Sequence, residues 1–155
     1  MSIEARLANL GIELPRPSAP VAAYVPCVAT LGLLHLSGQL PYRSDGTLIA
    51  GRLGENLTEE EGALAARACA LMALAQAQAA LGSLDCITRV VKLGVFVNSS
   101  SDFQKQSQVA NGASNLMQEI FGESGRHARS AVGVSVLPLG AAVEVDAILE
   151  FQPKS

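Results

Sequence analysis

Hydrophobic and polar positions alternate most regularly near the end of the chain, from Arg129 to Glu150 (RSAVGVSVLPLGAAVEVDAILE). Before Pro138 and Gly140, Val132, Val134 and Val136 share one parity, and Arg129, Ala131, Gly133 and Ser135 the other. After them, Val143, Val145, Ala147, Leu149 and Phe151 alternate with Glu144, Asp146, Ile148 and Glu150. A period of two is a strand signal, and the short Pro/Gly break predicts a hairpin. With Val136 and Val143 flanking the turn, the two valine faces coincide and Glu144 falls opposite Ser135. The apolar face is then expected against helices. The face bearing an arginine and carboxylates is left open.

The upstream pattern supplies the helices. Thr58 with Glu61 three residues on is a capping box, and Glu59 and Glu60 suit a helix N-terminus. That helix is expected to run to about Leu81 and stop at Gly82, with alanines at 63, 66, 70, 73, 77 and 80 allowing close approach to a sheet. Ile87 to Asn98 is apolar on both faces and reads as a covered strand. Asp102 is expected to cap a second helix with the stripe Val109, Ala113, Leu116, Met117, Ile120 and Phe121, closing at Gly122. Val21 to Gln39 reads as two strands with a turn near Gly32, and Ser44-Asp45-Gly46 as a turn. Ser2 to Leu10 can form a short helix, and the three prolines between Leu14 and Pro20 make a connector or arm. The order helix, β-β, α, β, α, β-β predicts an α+β fold with two long helices on one face of a single sheet. Nothing left in the chain can cover the other face, so self-association with closed symmetry is expected.

Composition narrows the classes. At 155 residues, with 49% hydrophobic and 16% charged positions, the chain is expected to be one domain spanning 1–155, with 1–20 as its N-terminal helix and proline-rich arm. A net charge of −3 argues against a nucleic-acid partner. No apolar run was expected to serve as the roughly 20-residue span of a membrane. Cys27, Cys69 and Cys86 form neither a disulfide framework nor a zinc pattern and read as free thiols of a cytoplasmic protein. There is no P-loop, G-x-G-x-x-G, G-x-S-x-G or H-E-x-x-H motif, so neither metal nor cofactor is expected.

Among residues with chemistry, Arg129 opens a strand, where its fork suits a carboxylate ligand or a structural salt bridge. Glu144 could hold a water if partly desolvated, or stay a solvated surface charge. In the hairpin register the two share a face about 20 Å apart, so a joint site requires a second subunit. Gly38, after Ser37, permits close approach of a ligand to backbone, or marks an ordinary strand exit. Tyr24, His35 and His127 read first as packed or loop residues.

Together these pieces resemble the RidA/YjgF family: Tyr24-Val25, the strand ending Ser37-Gly38-Gln39-Leu40-Pro41, Val90 to Asn98 followed by Asp102-Phe103, and Ala128-Arg129-Ser130 through Leu137-Pro138 to Val143-Glu144-Val145-Asp146-Ala147. The resemblance implies a chorismate-mutase-like fold and a homotrimer with intersubunit clefts. It implies hydrolysis of 2-enamine and 2-imino acids, of the 2-aminoacrylate/2-iminopropionate type, to 2-oxo acids and ammonia. Arg129 would clamp the substrate carboxylate, Glu144 would position water, Ser37 and Gly38 would meet the nitrogen or developing charge, and Tyr24 would wall the pocket. A non-catalytic trimeric binder of small carboxylates is the alternative, and an endoribonuclease the third reading. Ala131 stands where the family often has cysteine, and His127 where proline is familiar. The sequence thus describes a longer branch with a rebuilt cleft mouth.

Overall fold

A computed structural model describes residues 1–20 and 22–153; Val21, where the first strand was expected to begin, lies outside them. Helix α1 is Ile3–Asn9, with the Ser2 side chain accepting from the Ala5 N–H. Strands β1 (Cys27–Thr30) and β2 (Leu33–Gln39) form a hairpin about Leu31 and Gly32. Helix α2 (Glu59–Leu81) starts in the expected capping box and ends at Gly82. Strand β3 (Ile87–Asn98), helix α3 (Gln106–Phe121), strand β4 (Ala128–Val134) and strand β5 (Val143–Phe151) follow. Asp102 does not cap α3; its carboxylate accepts from Ser100 Oγ, and the residue before the helix, Lys105, makes no side-chain cap.

The sheet order is β1-β2-β5-β3-β4, with β3 and β4 parallel and every other pair antiparallel. This corrects the expected hairpin: β4 and β5 do not pair, because β3 lies between them. The α3 crossover is the cause. Two strands joined through a helix packed on their sheet run parallel, which sends β4 to the outer side of β3.

The core lies between the sheet and the helices. Leu34, Leu36, Val90, Leu93, Val95, Val143, Val145 and Leu149 meet Ala66, Cys69, Ala70, Ala73 and Leu74 of α2 and Val109, Ala113, Leu116 and Met117 of α3. By length and composition α2 could cross a bilayer, contrary to expectation, yet over half of its most apolar stretch is buried against the sheet and α3. The other sheet face carries His35, Glu144, Asp146, Ile148, Phe96 and Val132, in register across four strands.

A candidate site divided between the two edges of the sheet

Register fixes where each candidate side chain points. Arg129 pairs with Leu93 and Glu144 with Phe96, three positions apart along β3. An odd separation places them on opposite faces, roughly 14 Å apart between Cα atoms by strand spacing and rise. They do not share a face, as the hairpin register had implied. Arg129 follows Leu93 to the helix side, and Glu144 follows Phe96 to the open side.

At one edge, β2 loses register with β5 between Leu36 and Gln39, and Gly38 sits in that irregularity. A Cβ there would lie 2.8 Å from the Glu144 carboxyl carbon, so only glycine lets the carboxylate fold over this backbone. Gly38 and Tyr24, which is half exposed, line one small cavity of about 60 Å³ with Ser18, Pro26, Tyr42 and Gln76. Ser37 is nearby but occupied. Its hydroxyl donates to the Val25 carbonyl (2.7 Å), its N–H to the Pro26 carbonyl (2.9 Å), and its carbonyl accepts from Gln39 (2.9 Å). Its work within this chain is to hold the segment carrying Tyr24 against β2. Burial, and then the charge of Asp146, raises the Glu144 carboxyl above its ordinary value. Burial also raises Asp146, opposed by the Gly94 N–H and Lys92.

At the other edge, Arg129 is cradled by α3. Nη1 donates to Asn111 Oδ1 (2.8 Å) and Ser114 Oγ (3.0 Å), and Nη2 to the Ser107 carbonyl (3.4 Å). Every acceptor is neutral. Among the described residues no carboxylate pairs with this guanidinium, and Nε makes no hydrogen bond. The group is therefore oriented while its charge and part of its fork remain available. Ser107, Asn111 and Ser114 fall at i, i+4 and i+7, a polar stripe on an amphipathic helix. Sequence reasoning passed over that stripe, although its spacing was visible.

His127 continues the polar line, with Nε2 2.8 Å from Ser114 Oγ and Nδ1 2.6 Å from the Gly125 carbonyl. Cys69 is buried beneath β5, its thiol toward the Val143 carbonyl, and burial pushes its pKa well up. It has no access to either edge. One chain thus brings Tyr24, Ser37, Gly38 and Glu144 together and holds Arg129 apart from them.

Residues 4–151 match the family model described as "YjgF/chorismate mutase-like, putative endoribonuclease". Protein TCP17 of Trypanosoma cruzi is 58% identical over 150 residues, covering 96% of this chain and 94% of that one. The crystal structure of Atu1372 from Agrobacterium tumefaciens, of unknown function, is 46% identical with a TM-score of 0.88, covering 97% and 94% of the two chains. A crystal structure from Shewanella oneidensis MR-1, described as an endoribonuclease by its name, is 36% identical with a TM-score of 0.93, covering 97% and 100%.

Proposed function

The chain belongs to the YjgF/chorismate mutase-like family, and from that premise we propose that it is a cytoplasmic, homotrimeric hydrolytic deaminase of small 2-enamine and 2-imino acids. The observation that carries this reading is Arg129: a partly accessible guanidinium, pinned by three neutral acceptors and paired with no carboxylate among the described residues. Pinning without neutralisation is what an anion site needs, because orientation is already supplied and the charge is unspent.

Assembly supplies the missing neighbours. Arg129 lies on the edge strand β4. On the far side of the sheet the end of β2, beyond its pairing with β1, carries Ser37 and Gly38, with Tyr24 nearby and Glu144 of β5 beside Gly38. Val28 on β1 and Val132 on β4, 52% and 47% exposed, flank these edges with apolar surface. Closing three copies edge to edge would cover that surface and bring Arg129 of one chain toward Tyr24 and Gly38 of the next. The free thiols Cys27, Cys69 and Cys86 suit a reducing compartment.

In such a cleft the reaction needs no cofactor. Arg129 binds the carboxylate of the imino acid and orients its C2 carbon. Glu144 accepts a proton from a water as that water's oxygen bonds to C2, giving a carbinolamine. That proton is returned to the imine nitrogen. Glu144 then takes the carbinolamine's hydroxyl proton and passes it to the amino nitrogen, so that the C–N bond breaks as the C=O bond forms and ammonia leaves a 2-oxo acid behind. A raised carboxyl pKa suits Glu144 to both halves of this transfer.

The test is to generate 2-iminopropionate enzymatically and follow its decay with wild type and Arg129→Ala. Acceleration by wild type that disappears in the variant supports the deaminase. Carboxylate binding by calorimetry without acceleration would replace it with a binding module, and cleavage of RNA by a pure preparation with neither would replace both.

A further inference from the structure

The hydrogen bonds beyond Arg129 have only one consistent set of directions. The Gly125 carbonyl can only accept, so at 2.6 Å the His127 Nδ1 must carry the hydrogen. In the neutral ring Nε2 is then an acceptor. Arg129 can only donate, so Ser114 Oγ accepts from Nη1 at 3.0 Å and gives its own hydrogen to Nε2 at 2.8 Å. The run Arg129, Ser114, His127, Gly125 is thus polarised end to end. Ser114 is 6% exposed, so water does not readily replace either partner.

The last carbonyl is itself fixed. Gly125 is buried against α3, and a Cβ on it would overlap the Met117 carbonyl. The chain's own backbone therefore sets the tautomer of His127, and the tautomer sets the hydroxyl of Ser114.

We propose that His127 and Ser114 are positioning residues for the substrate carboxylate: the neutral imidazole takes the serine hydrogen, which turns the serine lone pairs toward Arg129 and holds its guanidinium at the cleft mouth. This rests on the reading of Arg129 as the carboxylate site and deepens it. Protonated His127 would present two donors, and Ser114 would then face an imidazolium and a guanidinium at once, losing the acceptor that, among the described residues, orients its hydroxyl. The charged groups about His127 are Arg129 on β4, Arg126 paired with Glu123 in the turn before it (3.6 Å), and Arg89 on β3, which donates to the Arg126 carbonyl. Helix α3 meets the ring with the neutral Ser114. Burial first, and then the charge of Arg129, holds the His127 pKa below its ordinary value against the opposing Gly125 carbonyl. The neutral ring is accordingly the resident form at neutral pH.

The experiment measures binding of pyruvate, as a 2-oxo acid probe, and steady-state decay of 2-iminopropionate for wild type, Ser114→Ala, His127→Ala, the double variant and His127→Gln. Each chain is first checked for wild-type circular dichroism and oligomeric state. The Gln side chain can place an amide oxygen near the Nε2 position, so it should retain binding. Ser114→Ala and His127→Ala should each weaken pyruvate binding and raise KM roughly tenfold with kcat little changed. The double variant should be no worse than Ser114→Ala alone, because both act through one guanidinium. From about pH 8 down to about pH 5, wild-type binding should weaken as His127 protonates, and His127→Gln should stay flat.

Additive losses, or wild-type binding that strengthens as His127 protonates, would overturn the positioning role. The second result would make the imidazolium a direct cation for the anion. If Arg129→Ala binds pyruvate as tightly as wild type, the carboxylate site itself is wrong. If Arg129→Ala abolishes binding while the serine and histidine variants do nothing, only this inference falls.

Discussion

The two edges of the sheet solve opposite electrostatic problems. On the open face of β5, the central strand, two carboxylates, Glu144 and Asp146, share a half-buried surface beside the β2 irregularity, and burial raises both. At the β4 edge a guanidinium is surrounded by a serine, an asparagine and a backbone carbonyl, and among the described residues no carboxylate balances it. A chain that stood alone would gain by pairing them. Instead the β3–β4 register turns them to opposite faces. Lys92 offsets Asp146 only in part, and Arg129 has no ionic partner among the described residues, which is the condition in which a neighbouring copy or an anionic ligand has most to offer.

The largest expected effect comes from breaking the cationic edge. Arg129→Ala should lower kcat/KM for 2-iminopropionate by about 100-fold or more, since a charge-assisted contact to the substrate carboxylate is lost. Arg129→Lys should recover only part of it, because an ammonium cannot reproduce the fork held by Asn111 and Ser114. Whether the edges work across chains is decided by mixing. Arg129→Ala and Glu144→Gln, each strongly impaired alone, should regain activity when unfolded together and reassembled, because some clefts then receive both intact residues. No recovery in verified mixed oligomers would place the site within one chain.

This division was only half legible in the sequence. The parity of each strand was readable, but the separation of Arg129 from Glu144 was argued along one face of a hairpin that does not form, and the structure sets them on opposite faces instead. What failed was the register. Valines 132, 134 and 136 looked like a core face, yet Val132 and Val136 are exposed, and the residues facing α3 are Arg129, Ala131 and Gly133. Alternation reports that two faces differ, not which one is covered. On an edge strand whose open face awaits a partner, the apolar residues stand on the uncovered side. The helix between β3 and β4 was the overlooked signal, because it forces the parallel pairing that a turn at Pro138 seemed to deny. The cap of α2 was readable because it is local, two residues three positions apart answering each other. The cradle of Arg129 was not, because it joins β4 to a helix 15 to 22 residues earlier.

At the anionic edge, Glu144→Gln should cost about 100-fold in kcat if the carboxylate handles the water's proton. The wild-type rate should fall as pH drops through the raised Glu144 pKa, and the glutamine variant should lack that limb. Stability should move the other way. A carboxyl raised in the folded state favours folding below its ordinary range and loses that contribution as pH rises through the raised value. Glu144→Gln should therefore melt higher than wild type at neutral pH and lose the advantage in acid. A lower melting temperature at neutral pH would mean that the carboxylate is paired, not strained.

Gly38→Ala asks a finer question of the same edge. The added methyl meets the far end of the Glu144 side chain, which can swing aside, so the fold should survive. The carboxylate should be displaced from its place over the Gly38 backbone, lowering kcat roughly tenfold while pyruvate binding, anchored at Arg129, stays within about twofold. Equal losses in both would show that the two edges are one rigid unit.

The smallest effect should come from a site that touches neither edge. Thr58 Oγ1 accepts from the Glu61 N–H at 3.1 Å, and Glu61 Oε2 accepts from the Thr58 N–H at 2.7 Å. Thr58→Ala removes half of this reciprocal cap at a cost of about 1 kcal/mol, or about 2–4 °C in Tm for a chain of this size. Because α2 packs on β5 and β2 through buried alanines with Cys69 and Leu74, its axis is fixed well beyond the first turn, and kcat/KM should not change. A catalytic loss at that distance would mean that α2 transmits strain to the Glu144 edge, and the two edges could then no longer be perturbed separately.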